Sequence, residues 1–363
     1  MPVTAAQYHE KTSYRRGQMS EHFLDWANQP SVFKSYEGID RIPLPKPKDV
    51  SLPELPLSAL LRGDPGLREA PLSLDILDLS RLLLLTYTLT ARARHGGGEF
   101  TYRSAASAGA LYPAEMYVGA RAVEGLADGL YYFSSADHSI SRLRDGADTE
   151  TALGPEGTEN SPSSRIALFL TAVFFRSSWK YRERAYRYHL LDTGHLAENL
   201  LLALRSMGWP FRLACDFHDR RMNRFLGLDE HREACLAVVR VPGEGESGGF
   251  ENTSFPVEPH KRLREASRSA ARETDYPLIR DMHESSALSE PVSKTLGSAH
   301  DLPRIAKANP WRAFAPPRDW PEVSGYSESV FRRRSRRNFV PSPVPAEHAA
   351  ALLEGLCSFR PKG

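Results

Sequence analysis

RSAASAGALYPAEMY, residues Arg103 to Tyr117, is the most informative stretch of this chain. The small residues from Ser107 to Ala110 let a backbone come close to a flat or phosphorylated ligand, and Gly109 can take dihedral angles that are closed to other residues. Successive N–H groups in such a turn can form an anion-binding concavity. The sequence from Glu115 onward has strand character, so the loop is predicted to lead into a sheet. A tight turn before a strand needs the same residue types and stays open as the alternative.

The segments that follow the loop predict a sheet. Gly129 to Phe133 and His138 to Leu143 are interpreted as a hairpin that turns at Ser134. The continuous apolar run from Ile166 to Phe175 is typical of a central strand that is buried on both faces. Cys235 to Val241 is predicted to be the closing strand.

Helical spacing predicts three helices and a weaker fourth. The first covers about residues 73–91 with Ser73 as its cap, and a short one covers Asp219 to Leu226. The strongest covers His189 to Met207, because an apolar stripe recurs there at Leu190, Gly194, Ala197, Leu201 and Leu204. Gly194 in that stripe is interpreted as permitting a close contact with another helix or a ligand. Residues 261–285 are predicted to form a basic, weakly amphipathic helix.

The composition argues against several classes of protein. With 47 basic and 45 acidic residues the net charge is +2, which gives no support for a nucleic-acid-binding protein. The three cysteines form no even framework and no CxxC spacing, which favours a reducing, cytoplasmic compartment. No apolar run is long enough to span a bilayer, and the N-terminus has no apolar signal-peptide region. The histidines and cysteines show no metal-ligand spacing, so no metal site is predicted.

Three blocks, taken in order, resemble the nitroreductase superfamily of flavin enzymes. The most specific block, Trp179 to Leu200, reads WKYRERAYRYHLLDTGHLAENL. The other two are the loop from Ser107 to Tyr117 and an N-terminal pair at Tyr8 to Thr12 and Leu24 to Pro30. The chain is most similar to the SagB/ThcOx type, the azoline dehydrogenases of thiazole- and oxazole-modified peptides. The resemblance covers about residues 5–242 and resumes at 329–356.

The resemblance implies an α+β, nitroreductase-like fold with a central, mainly antiparallel sheet flanked by helices. It implies FMN as the cofactor, and a homodimer or tandem pseudo-dimer with the flavin at the interface. Four loop residues would lie against the flavin: Ser107, Ala108, Gly109 and Ala110. Arg103 would hold the same region. These loop residues are therefore expected to line an interface, not a pocket enclosed by one domain.

Lys180 and Tyr181 match the catalytic pair of the family. The resemblance implies that Lys180 favours developing negative charge and that Tyr181 acts as the base. The alternative is a strand-end lysine beside a packed tyrosine. Asp192 and His195 share a helix face and either position the flavin, cap the helix or form a hydrogen-bonded pair.

The basic run FRRRSRRNF, Phe331 to Phe339, resembles the RRSxRxF opening of a nitroreductase domain. Residues 326–363 are therefore interpreted as the start of a second copy. Its FMN-phosphate ligands would be Arg333, Arg334, Ser335 and Arg337, which supply guanidinium forks and a hydroxyl in front of a helix. In the first copy Arg62 matches, but Gly63 and Pro65 replace motif residues and weaken its clamp. A solvated basic run is the alternative.

These interpretations divide the chain into four parts. Residues 1–50 are an N-terminal extension that lies on a domain surface, and 51–242 are a nitroreductase-like domain. Residues 243–325 are a linker and loop-rich segment, and 326–363 begin the second copy.

The implied reaction is the oxidation of an azoline ring in a peptide or related small molecule, by hydride transfer to flavin. Two alternatives stay open: a generalist NAD(P)H-dependent nitroreductase, and a degenerate non-catalytic module for dimerisation or peptide presentation. Neither a nucleic-acid partner nor a membrane partner is expected.

Overall fold

A computed structural model of the chain describes residues 3–15, 17, 22–62, 74–95, 98–146, 164–242, 261–289, 320, 324–336 and 338–357. Its strands are β1 (Arg41–Pro43), β2 (Leu89–His95), β3 (Gly98–Arg103), β4 (Ala114–Ala120), β5 (Gly129–Ser134), β6 (Ser139–Asp145), β7 (Ser164–Val173), β8 (Arg212–Ala214) and β9 (Glu233–Pro242). Its helices are α1 (Ala5–Thr12), α2 (Leu57–Arg62), α3 (Ile76–Tyr87), α4 (Phe174–Tyr181), α5 (Ala185–Ser206), α6 (Asp219–Leu226), α7 (Lys261–Glu265), α8 (Pro277–Ser286), α9 (Tyr326–Arg332) and α10 (Ala346–Cys357). Short 3-10 turns lie at Trp26–Asn28, Ala108–Ala110 and Arg182–Arg184.

The chain divides into two units. Unit 1 comprises Met1–Leu52 and Glu69–Pro291, and unit 2 comprises Pro53–Arg68 and Val292–Gly363. Unit 1 is built on a seven-stranded sheet in the order β1-β6-β5-β4-β7-β9-β8, in which every neighbouring pair is antiparallel. The predicted α+β fold with a mainly antiparallel sheet is confirmed.

Strand β7 lies inside this sheet, between β4 and β9, as its continuous apolar sequence predicts. Its side chains from Ile166 to Val173 are buried on both faces. The prediction that the strand continues to Phe175 is wrong, because Phe174 and Phe175 begin helix α4. A short apolar run carries no periodicity that separates a strand from the start of a buried helix.

The predicted hairpin at β5 and β6 is confirmed, and so is helix α6 with its predicted bounds. The first predicted helix is too long at its C-terminal end, because α3 stops at Tyr87 and the following residues pair as β2 with β3. Its N-cap is Asp75, whose carboxylate accepts from the N–H of Asp78 at 2.7 Å. The predicted cap Ser73 lies outside the described residues.

Helix α5 begins four residues before the predicted start, and its apolar stripe is only partly right. Ala197, Leu201 and Leu204 are buried as predicted, but Leu190 is half exposed. The buried face of the first turns instead carries polar residues: His189, Asp192 and Thr193. Hydropathy alone misassigns a face whose side chains are buried because they form hydrogen bonds. A Cβ added to Gly194 would find no atom within 4 Å among the described residues, so the predicted close contact is not made with any of them.

The N-terminal segment contributes to the core of unit 1. Strand β1 forms the edge of the sheet against β6, and Tyr36 packs in the cluster that contains Tyr117, Phe169 and Phe225. The single helix predicted at 261–285 is wrong. Two short helices, α7 and α8, occupy this range instead, and Pro277 begins the second one at a position that suits its fixed φ.

Unit 2 brings α2 and α9 together. The N–H of Tyr326 donates to the carbonyl of Leu55 at 2.7 Å, and the Ser327 hydroxyl donates to the carbonyl of Pro53 at 2.8 Å. Trp320 Nε1 donates to Glu354 on α10 at 3.0 Å. Within the described ranges, no helix of either unit is long and apolar enough to cross a membrane.

Candidate functional site

The small-residue loop between β3 and β4 has a strained backbone. Gly109 has φ +67°, Ala110 +55° and Tyr112 +45°, so three of four consecutive residues are left-handed. Such angles are uncommon outside glycine, and in proteins they concentrate at functional sites. These angles favour the interpretation of the loop as part of a functional site over that of a plain turn, and this interpretation stays a prediction.

Lys180 and Tyr181 lie against this loop, at the C-terminal end of α4. A Cβ added to Gly109 would stand 2.9 Å from Tyr181 Oη and 3.3 Å from Lys180 Nζ. Only glycine leaves this space open, and the hydroxyl and the ammonium converge on it. The residue after the pair, Arg182, also has a left-handed φ of +49°. The structure thus brings Gly109 together with Lys180 and Tyr181, which follow it by 71 and 72 residues in sequence.

Other contacts hold the Lys180–Tyr181 pair in place. The Tyr181 and Tyr188 rings stack with centroids 4.3 Å apart, and Lys180 Nζ lies 5.5 Å from the Tyr181 centroid. His22 Nε2 donates to the Lys180 carbonyl at 2.9 Å. Both side chains are only partly buried, so a ligand can reach them.

Three N–H groups of the loop already have hydrogen-bond partners within the protein. Ala108 N donates to the Asp192 carboxylate at 3.1 and 3.3 Å, Ala110 N to the Ser107 carbonyl at 3.1 Å, and Tyr112 N to the Ser107 hydroxyl at 2.8 Å. These three donors are satisfied inside the protein. The loop therefore presents small side chains and an open glycine, a surface that suits a flat ligand better than a phosphate.

Arg103 lies beneath this loop and is fully buried. Its guanidinium stands 4.6 to 4.8 Å from the ring centroids of Phe33, Tyr87 and Tyr112. It also donates to the Tyr87 hydroxyl and to the carbonyl of Val32. These contacts fasten β3, α3 and the N-terminal segment to one another, and the role of Arg103 toward a cofactor stays a prediction.

The basic run belongs to unit 2. Arg333 and Arg334 are partly buried and Ser335 is exposed, while Arg337 lies outside the described residues. Arg334 Nη1 donates to the carbonyls of Phe331 at 3.0 Å and Arg333 at 2.6 Å. The expectation that a helix directly follows the run is wrong, since α9 ends at Arg332 and α10 begins at Ala346. The C-terminal end of a helix favours cations whether or not they bind a ligand. Phosphate binding by this run therefore stays a prediction.

The polar core was not foreseen from the sequence. Lys34 and Glu233 form a fully buried ion pair, and Arg176 and Glu115 form a second one. The partners in these pairs lie far apart in the chain, so spacing gives no signal for them. The sequence predicts that Asp192 positions the flavin, caps the helix or pairs with His195, but it gives no signal for its bonds to Ser107 and Ala108. Among the described residues, no group of three or more His, Cys, Asp and Glu side chains is arranged to hold a metal ion.

Comparison with known proteins places this geometry in a family. Residues 76–243 match the model of the nitroreductase family. A Methanocaldococcus jannaschii protein assigned as a nitroreductase is 30% identical over 199 residues, which span 53% of this chain and 96% of the relative. The chain belongs to the nitroreductase family. It is therefore an oxidoreductase of that family.

Two further relatives of this nitroreductase-family chain are processing proteins. The trifolitoxin-processing protein TfxB of Rhizobium leguminosarum bv. trifolii is 27% identical over 235 residues, which cover 62% of each chain. The microcin B17-processing protein McbC of Escherichia coli is 25% identical over 140 residues, which cover 36% of this chain and 51% of McbC.

A solved structure supports the fold over nearly the whole chain. The crystal structure of a protein from Anabaena variabilis assigned as a nitroreductase matches with a TM-score of 0.68 and 28% identity. The match covers 97% of this chain and 68% of the Anabaena protein.

The nitroreductase family generally uses a flavin, and the loop of unit 1 fits the ring system of one. The space over Gly109 that a Cβ would fill is open, and Ala108 and Ala110 beside it have no large side chains. Lys180 supplies a cation at the same place. Small side chains and one cation are what a planar, electron-accepting ring needs, whereas the satisfied N–H groups offer little to a phosphate.

Proposed function

We propose that this protein is an FMN-dependent dehydrogenase of the SagB type, which oxidises an azoline ring in a peptide or related small substrate to an azole. The observation that carries the proposal is the convergence of Lys180 Nζ and Tyr181 Oη on the open side of Gly109. A flat ring lying over that glycine would have a base and a cation at its edge. When bound, FMN would supply a hydride acceptor for the substrate ring, and a two-electron acceptor such as dioxygen would then take up the electrons.

The residues of the chain supply the proton transfer and the positioning. Tyr181 Oη takes the proton that leaves the azoline as its hydride departs, so that one C–H bond loses a proton and the other a hydride. The Lys180 ammonium stabilises the phenolate form of Tyr181, which is the form that can take the proton, and any negative charge that develops on the substrate. The stacked ring of Tyr188 limits the movement of Tyr181.

A peptide substrate is supported by the two processing proteins to which the chain is similar. TfxB and McbC carry trifolitoxin and microcin B17 in their names. In this chain the block from Trp179 to Leu200, which carries the resemblance, also contains the Lys180–Tyr181 pair and Asp192, which bonds the loop at Ser107. Substrates of the same chemical class would use the same residues.

We further propose that the protein works as a homodimer or tandem pseudo-dimer through helix α5. Leu190 and Leu191 on this helix are 50% and 57% exposed, and Gly194 nearby has open space around it. Exposed apolar residues beside a glycine suit close packing against a second helix. The neighbouring residue Asp192 bonds the small-residue loop, so that pairing here would bring a second copy close to Ser107–Ala110.

The test is reconstitution of the purified chain with FMN, followed by reaction with a peptide that contains one thiazoline. The wild type is expected to retain a yellow flavin and to remove two hydrogens from the peptide, as read by mass spectrometry. Tyr181→Phe and Lys180→Ala are expected to lower the rate by about 100-fold, since they remove the base and the cation. Tyr188→Phe is the matched control, because it removes only a hydroxyl that accepts from Arg184 Nε at 3.4 Å and keeps the stacked ring, so it should stay close to wild type.

A protein that takes up no FMN would refute the proposal, and so would a full rate in both variants. The latter result would instead support the non-catalytic module.

A second function, reduction of nitroaromatic compounds with NAD(P)H, is favoured by one observation. The Methanocaldococcus relative that this chain covers over 96% of its length is assigned as a nitroreductase. Rapid bleaching of bound flavin by NADPH with turnover of a nitroaromatic compound, and no change in the thiazoline peptide, would favour this function over azoline oxidation.

A further inference from the structure

Asp192 is buried and lies on α5, 85 residues after the loop that it contacts. One carboxylate oxygen accepts from the Ser107 hydroxyl at 2.6 Å, and both accept from the N–H of Ala108, at 3.1 and 3.3 Å. A buried carboxylate is costly unless hydrogen bonds stabilise it, and bonds to a charged acceptor are among the strongest in proteins. Hydrogen bonds from Ser107 and Ala108 to Asp192 therefore join the loop to helix α5.

These bonds also determine the shape of the loop. Ser107 is the N-cap residue of the 3-10 turn Ala108–Ala110, but its side chain does not cap that turn. Its hydroxyl donates to Asp192 and accepts from the N–H of Tyr112 at 2.8 Å, so it ties both ends of the turn together. The Asp192 carboxylate, which is not part of the turn, accepts instead from the N–H of Ala108. Gly109, one residue further, is then presented to Tyr181 Oη and Lys180 Nζ.

We propose that Asp192 is the positioning residue of this site: it holds Ser107–Ala110 in the strained conformation that keeps Gly109 open beneath the Lys180–Tyr181 pair. It acts through Ser107 and Ala108 and does not itself touch the reacting atoms. The strain explains why an anchor is needed, because left-handed backbone at Ala110 and Tyr112 persists only where the surroundings enforce it.

The other roles open to Asp192 are less consistent with its contacts. A hydrogen-bonded pair with His195 is not formed, since His195 Nδ1 bonds the Leu191 carbonyl at 2.8 Å and the ring is exposed. Capping of α5 by Asp192 does not fit either, because Asp192 lies eight residues into a helix that begins at Ala185. Both carboxylate oxygens are directed at the loop.

The charge of Asp192 gives the anchor a dependence on pH. Burial raises the pKa of the Asp192 carboxyl, while the bonds from Ser107 and Ala108 and the charge of His195 act in the opposite direction. Lys180 and Tyr181 lie beside the loop at Gly109, Arg103 lies beneath it, and residues 107–110 carry no titratable side chain. Protonation would remove an acceptor from the loop, so the anchor is expected to weaken as the pH falls.

The experiment uses the full chain without added flavin and measures amide hydrogen exchange over residues 104–113. Loss of the anchor should speed exchange of Ala108 and Tyr112 by about tenfold or more in Asp192→Ala and in Ser107→Ala, which corresponds to one lost hydrogen bond. Asp192→Asn keeps an acceptor oxygen and should fall between them and wild type. Asp219→Asn is the control, since Asp219 is a partly buried helix aspartate that also accepts from a backbone N–H, that of Leu288 at 2.7 Å.

Activity provides a second readout, and it rests on the proposed function. In the FMN-loaded enzyme, Asp192→Ala and Ser107→Ala should each lower kcat by about tenfold with little change in KM, and the double variant should be no worse than either single one, because both act on one structure. The acid side of the rate profile should flatten in Asp192→Asn.

Unchanged exchange at Ala108 and Tyr112 in the variants would overturn the proposal, as would equal effects in Asp219→Asn or additive losses in the double variant. If Asp192→Ala does not fold, Asp192→Asn and Ser107→Ala decide the question. A wild type that binds no FMN but shows the expected exchange would refute the proposed function and leave the anchor supported.

Discussion

Lys34 and Lys180 are both lysines of unit 1, but their ammonium groups lie in opposite surroundings. Lys34 is fully buried and donates to Glu233 and to the Tyr117 hydroxyl. Glu233 also accepts from Thr171, Ser267 and Tyr117. Lys180, in contrast, is partly exposed and lies beside the open space over Gly109.

The difference between the two lysines shows which charged side chains a ligand can reach. In the buried cluster every oxygen of Glu233 is occupied, and the second buried pair behaves alike, since Glu115 accepts from Arg176 and Tyr132. Burial alone would raise the pKa of Glu233, but Lys34 and the surrounding donors hold that pKa below its ordinary value, so the pair stays charged. Satisfied buried charges specify the packing, whereas the strained and half-open loop leaves room for a ligand.

The strongest test of this contrast is Glu233→Ala. The substitution leaves the Lys34 ammonium buried without its counter-ion, so the free energy of unfolding should fall by about 3–5 kcal/mol. Urea denaturation measures the change. The double variant Lys34→Met with Glu233→Gln should recover a large part of it, because no uncompensated charge remains. A loss under about 1 kcal/mol in Glu233→Ala would show that water reaches the cluster.

A second prediction concerns acid stability and His189. This side chain is fully buried, donates to the Phe174 carbonyl at 3.1 Å, and has a pKa that burial lowers to about 3. The unfolded chain binds the proton first, so the stability contributed by neutral His189 is complete above about pH 6.5 and is lost as the pH falls toward 3. Between pH 7 and pH 5 the loss should be about 1–2 kcal/mol from this residue.

Melting curves of the wild type and His189→Phe at the two pH values measure this effect. The variant should lose less stability on acidification. It should not become independent of pH, because burial also lowers the pKa of His283 to about 4. Parallel curves for the two proteins would contradict the assignment to His189.

Gly109→Ala tests whether the open space over Gly109 is needed for flavin binding and activity. The left-handed backbone should cost about 1–2 kcal/mol of stability, and the new methyl group would press on Tyr181 Oη and Lys180 Nζ. Gly146→Ala is the matched control, since Gly146 has the same φ of +67° but nothing within 4 Å of its added Cβ. Both variants should lose similar stability by thermal melting, while only Gly109→Ala should lose flavin binding and activity. Equal activity in the two variants would show that the space over Gly109 is not used.

The smallest expected change in stability is that of Lys180→Ala. Its ammonium is partly exposed and outside the buried clusters, so unfolding should shift by less than about 0.5 kcal/mol. The same substitution should lower the azoline-oxidising rate strongly. A destabilisation comparable to that of Glu233→Ala would mean that Lys180 stabilises the fold as Lys34 does. The proposed difference between the two lysines would then be refuted.

Much of the sheet is predictable from sequence, because β7, the β5–β6 hairpin and β9 each carry a local signal of apolar or β-branched residues. The errors occur where local signals compete. Phe174 and Phe175 extend an apolar run into a helix, and residues after Tyr87 leave a helix for a hairpin. The polar face of α5 was missed for a related reason, since His189 and Asp192 are buried by their partners, which hydropathy does not register.

The sequence by itself determined the family and the fold, and it predicted which residues form the candidate site. Its ordered blocks led to the nitroreductase family, and the resemblance to that family pointed to the Lys180–Tyr181 pair, whose role stays a prediction. Only the tertiary structure decided how those residues act on one another. It directed the loop amides inward to Asp192 and Ser107, and it separated the enclosed Lys34 from the accessible Lys180. Hydrogen bonds and desolvation depend on distances between residues far apart in the chain, which no local pattern encodes.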